Sequence, residues 1–67
     1  MSLLPHQIRV VAEKSELDER LHRLVAFMAT ATFAELPEAE QARMTRQRDL
    51  MAQYSAVLGE RIDAFSA

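Results

Sequence analysis

Apolar residues recur at spacings built from threes and fours along two stretches: Val10, Leu17, Leu21, Leu24 and Met28, then Met44, Met51, Tyr54, Leu58, Ile62 and Phe65. Such spacing follows the 3.6-residue turn of an α-helix and predicts two helices, each with one apolar stripe. Glycine occurs only at position 59 and proline only at 5 and 37, so roughly residues 6–30 and 37–66 run without a breaker. Glu16 with Arg20 and Glu19 with Arg23 are i,i+4 pairs that support the first helix, and the β-branched and aromatic run Thr30-Ala31-Thr32-Phe33 ends it. Pro37 is expected at the first helical position of the second helix, with Glu38 and Glu40 at the positive end of its dipole.

Helices over about 6–30 and 37–66, joined by a turn at about 31–36, are antiparallel neighbours about 37 to 44 Å long. The expected fold is all-α, a helical hairpin in one domain spanning residues 1–67. Gly59 costs about 1 kcal/mol relative to alanine inside a helix, which points to a close approach of another backbone there. Ile8, Val11, Val25, Phe27, Leu50 and Val57 fall off the two stripes. A hairpin has one inside, so this second apolar surface predicts a homo-oligomeric helical bundle with closed symmetry.

Composition narrows the function. With 67 residues and no cysteine, the chain has neither a disulfide framework nor a Cys/His cluster to supplement a small core. His6 and His22 stand sixteen residues apart, outside zinc-ligand spacing, and no metal or other cofactor is expected. Two helices without a glycine-rich loop offer no converging nucleophile, base and oxyanion donors, so an enzyme is not expected. No apolar run is long enough to span a membrane, and Met1-Ser2-Leu3-Leu4-Pro5 is not a secretion signal, which predicts a cytoplasmic protein. Ten acidic against eight basic residues give a charge of −2. Arg43, Arg46 and Arg48 are diluted by Glu38, Glu40 and Asp49, so DNA binding is not expected.

Three groups remain as candidates for recognition. Pro5-His6-Gln7-Ile8-Arg9 sets an imidazole, an amide and a guanidinium at a helix start that can receive an anion. Arg20, His22 and Arg23 can bind phosphate or simply complete i,i+4 pairs. Tyr54 and Arg61 lie two turns apart on one face, where the tyrosine is either core or a stacking platform.

Gln7-Ile8-Arg9-Val10-Val11-Ala12-Glu13-Lys14-Ser15-Glu16-Leu17-Asp18-Glu19-Arg20-Leu21 resembles the R-V-x-x-E-K-x-E-L-D-x-[KR]-[LI] opening of the hairpin shared by phage anti-CBASS and Thoeris anti-defence sponges. Ala26-Phe27, Phe33, Leu36-Pro37, Gln47, Met51, Tyr54-Ser55, Leu58 and Arg61-Ile62 follow the same pattern downstream. The resemblance implies a homo-oligomer, described as a hexamer in that family, that sequesters cyclic oligonucleotide messengers in the cytoplasm of an infected bacterium without cleaving them. It also implies a cyclic-dinucleotide pocket between two protomers, with His6 in the place of the family's stacking aromatic and Arg20 near the phosphates, and Arg9 of the helix-start group is expected to join them. A separate cyclic-trinucleotide pocket is implied at Arg61 and His22, although His22 stands where the family offers a hydroxyl. Without the resemblance, the same apolar faces would describe a structural or protein-binding hairpin module.

Overall fold

In the computed structural model, which describes residues 2–66, α1 spans Pro5–Met28, a single-turn α2 spans Ala31–Ala34 and α3 spans Glu38–Asp63, followed by a 3-10 turn at Ala64–Ser66. The Cα trace fills 50 × 14 × 14 Å, a rod made by two antiparallel helices side by side. Pro5 begins α1, where its missing N–H would have no helical partner, and the Gln7 side-chain oxygen accepts from the Leu4 N–H at 2.8 Å. Gln7 is thereby occupied with closing the helix start.

The connection is more ordered than a plain turn. Thr30 ends the first helical run because its hydroxyl accepts from the Phe33 N–H at 3.3 Å, as a cap does, and donates to the Phe27 carbonyl at 2.6 Å. Phe27 meets Phe33 edge to face, with ring centroids 6.2 Å apart, so this off-stripe aromatic is half-buried against the bend. Thus α1 stops at Met28, short of the expected limit near residue 30, and one turn of helix occupies the expected 31–36 loop. Pro37 has φ −54° and ψ 144°, which makes it the cap before Glu38 and not the first helical residue. The Gln41 amide then donates back to the Leu36 and Ala34 carbonyls, at 2.8 and 3.2 Å, and satisfies acceptors that the bend leaves open.

Val10, Leu17 and Leu58 form the buried core, with Met51, Ile62 and Phe65 packed against it. One stripe position differs from the expected one. Tyr54 is 46% exposed, and the seam position beside it belongs to buried Ser55. The seam therefore runs Met44, Arg48, Met51, Ser55, Leu58, Ile62, Phe65, a strict alternation of four and three. Facing it is Val10, Lys14, Leu17, Leu21, Leu24, Met28, also strict, with a lysine in the second place.

Gly59 also differs from expectation. A Cβ built there would meet the Lys14 Cε at 3.5 Å, an ordinary contact with a side chain and not with another backbone. Of the expected i,i+4 pairs, Glu19 and Arg23 approach to 3.8 Å, whereas among the described residues Arg20 makes no ion pair with Glu16 or any other acid.

Candidate ligand-binding faces

The polar layer inside the seam is the first constellation the fold assembles. Lys14 Nζ donates to Ser55 Oγ at 2.8 Å and to Asp18 Oδ2 at 2.9 Å, and Ser55 Oγ donates to Asp18 Oδ1. Each polar group answers another, and the buried Ser55 hydroxyl is both a donor and an acceptor. The Ser55 hydrogen bond, then the Lys14 hydrogen bond, hold the Asp18 carboxyl below its ordinary value, against the opposing pull of desolvation. The triad ties α1 to α3, so Lys14, Asp18 and Ser55 hold the two helices in register. Its signal was visible in the chain, since Lys14 and Ser55 each occupy a stripe position, but a pattern search for apolar residues passes over them.

The proposed binding residues are all on the outside. His6 and Arg9 are exposed in the first turns of α1, Arg20 and His22 midway along it, and Arg61 in the last turn of α3. His6, Arg9, Glu13, Glu16 and Arg20 follow one another at spacings of three and four and so share one flank of α1. His22 lies on the other flank, in the row of Ile8, Val11, Ser15 and Val25. The two groups therefore face different directions.

One chain does not bring either group together. His6 and Arg20 are fourteen residues apart on one helix, about 21 Å at the helical rise of ~1.5 Å per residue. Lys14 sits opposite Ser55, so His22 is level with about residue 47 of α3, which leaves it about 20 Å from Arg61 along the rod. Tyr54 and Arg61 share an exposed row of α3 together with Arg43, Gln47, Leu50 and Val57.

Two hollows mark the surface. One of about 280 Å³ lies between the N-terminal segment and the end of α3, with Leu3 and Gln7 on one side and Ile62 and Phe65 on the other. The second, about 410 Å³, is lined by Arg43, Arg46, Gln47, Leu50, Met51 and Tyr54, all from α3. A hollow with one wall cannot enclose a small molecule until a second surface covers it. Among the described residues no cluster of three or more His, Cys, Asp or Glu could hold a metal ion, and no helix is long and apolar enough to cross a membrane.

A family model described as Sequestin matches residues 4–64. No curated protein and no solved structure matches the chain.

Proposed function

The chain belongs to the Sequestin family, the phage anti-CBASS and Thoeris cyclic-nucleotide sponges, and from that premise we propose that it binds cyclic di- and trinucleotide messengers of bacterial immunity and holds them out of reach of their effectors. The family is one of binding proteins that sequester and do not catalyse. The match over residues 4–64 is the observation that carries the proposal, because it takes in both helices and every proposed contact residue. The working form is a homo-oligomer of single-hairpin subunits, six in the family's pattern, acting in the host cytoplasm and using no cofactor or metal.

A twofold relationship between two copies of α1 suits the dinucleotide site. The row His6, Arg9, Glu13, Glu16, Arg20 reverses on itself about Glu13. An antiparallel pair centred there sets His6 of one chain level with Arg20 of the other, and Arg9 close to Glu16, so the 21 Å gap within one chain closes between two. The pairing makes two equivalent stations about 21 Å apart, each offering one imidazole for a base of a cyclic dinucleotide to stack on and one guanidinium for a phosphate to pair with. The trinucleotide site uses His22 and Arg61 from different copies, on the other flank of α1. Their separation within a chain, about 20 Å, sets the same requirement for a neighbour.

Calorimetry with a panel of cyclic di- and trinucleotides tests the proposal, followed by heating the complex and analysing the released ligand. Saturable heat with at least one ligand and its recovery intact are expected. Absence of binding across the panel would favour a protein-binding hairpin, and degraded ligand would overturn sequestration.

A further inference from the structure

The exposed apolar residues of α3 are not scattered. Leu50, Tyr54 and Val57 are its large exposed hydrophobic residues, at 58%, 46% and 51% exposure, and all three fall in one row that continues through Gln47 and Arg61. This row lies on a different side of the helix from the seam that packs on α1, and the one-walled hollow opens on it. Along its edge stand Arg46, Gln53 and Glu60, separated by seven residues and then seven again. Among the described residues, Arg46 and Glu60 make neither an ion pair nor a side-chain hydrogen bond within the chain.

The spacing fits one partner. We infer that α3 packs antiparallel on α3 of a second copy, about a twofold axis at Gln53, with Leu50, Tyr54 and Val57 covered and Arg46 of each chain facing Glu60 of the other. A row whose midpoint is neutral and whose equidistant ends carry opposite charges is complementary to itself when reversed, as an isologous contact demands. The apolar residues meet around the same centre, Leu50 about level with Val57 of the other chain and the two Tyr54 side by side near the axis, and make the dry part of the contact. Arg43, at the end of the row, already has its charge answered by Glu40 at 2.9 Å. The second α3 also supplies the missing wall of the hollow, so Tyr54 works as an interface residue and not as a free stacking platform.

The contact is independent of nucleotide binding, and its test is run without ligand. The chain has no cysteine, so Gln53→Cys introduces a single thiol per copy, which on mild oxidation loses two electrons and two protons per pair to form an inter-chain disulfide. Gln53→Cys is expected to cross-link fully, whereas Ala52→Cys, exposed on the side of α3 turned away from Leu50, Tyr54 and Val57, is expected to remain largely unlinked. In sedimentation equilibrium, Arg46→Glu and Glu60→Arg should each weaken association about tenfold or more, and the two together should restore it. Helical circular dichroism establishes that each variant is folded. Equal cross-linking at 52 and 53, or a double variant no tighter than the single ones, would overturn the α3 pairing whether or not nucleotides bind.

Discussion

Lys14 and Ser55, 41 positions apart in the chain, meet at 2.8 Å in a seam that is otherwise mostly apolar, and Asp18 joins them from the next turn of α1. A polar layer in such a seam contributes less to stability than to the choice of register, because any axial shift of one helix would strand its donors among methyl groups.

Removing the hydroxyl should expose this dependence. Ser55→Ala leaves Lys14 and Asp18 paired with each other but takes away one acceptor and one donor, a loss of about 1 to 2 kcal/mol at the usual worth of such bonds. Thermal and urea unfolding should both register it. Unchanged stability would mean that water replaces the hydroxyl at no cost.

Acid should act through Asp18. Its carboxyl titrates below the ordinary 3.8 because Ser55 and Lys14 favour the charged form. A depressed folded value means that the stabilisation is fully present above the ordinary pKa and is lost as pH falls through the lowered one. The Tm difference between the native chain and Asp18→Asn should therefore be steady from about pH 7 to 5 and shrink below about pH 4. A difference that does not change in acid would disconnect the carboxylate from the fold.

Gly59→Ala is expected to raise stability. The added methyl finds only the Lys14 Cε at 3.5 Å, within ordinary contact, while the helix gains up to about 1 kcal/mol in propensity. A lowered Tm would show that Lys14 needs the space and that its bond to Ser55 has been disturbed.

At the ligand face, Arg20 has no intramolecular ion pair to lose among the described residues. Arg20→Ala should leave the Tm nearly unchanged while weakening cyclic-dinucleotide binding about tenfold or more, since a hydrogen bond to a charged group is worth about 1.5 to 3 kcal/mol. Arg61→Ala should spare that ligand and weaken a cyclic trinucleotide instead. Titration calorimetry of both variants against both ligands separates the sites, and identical losses would merge them into one.

The helices were legible because glycine and proline are scarce and the apolar period is long. What periodicity could not resolve was which of two adjacent residues enters the seam. Tyr54 is more apolar in bulk than Ser55, yet the strict alternation through Met51 and Leu58 selects position 55, and Lys14 opposite supplies the donor that makes a serine welcome there. The bend was legible only in outline, because the Thr30 cap and the Gln41 amide act through hydrogen bonds to specific carbonyls that leave no trace in hydrophobicity. The binding faces were the least visible from pattern alone. His6 and Arg20, like His22 and Arg61, gain meaning only between chains, and a single hairpin keeps them apart.

Leu3 and Gln7 line the same hollow as Ile62 and Phe65, so the described ends of the chain lie together at one pole of a rod 50 Å long. A purification tag on either end, or a fluorophore coupled there, would therefore crowd His6 and Arg61 and could mimic a binding defect. The bend is the opposite pole, where Glu35 and Pro37 are exposed and distant from that hollow. A label placed at Glu35 would leave His6 and Arg61 unencumbered, which makes the bend the better handle for surface attachment.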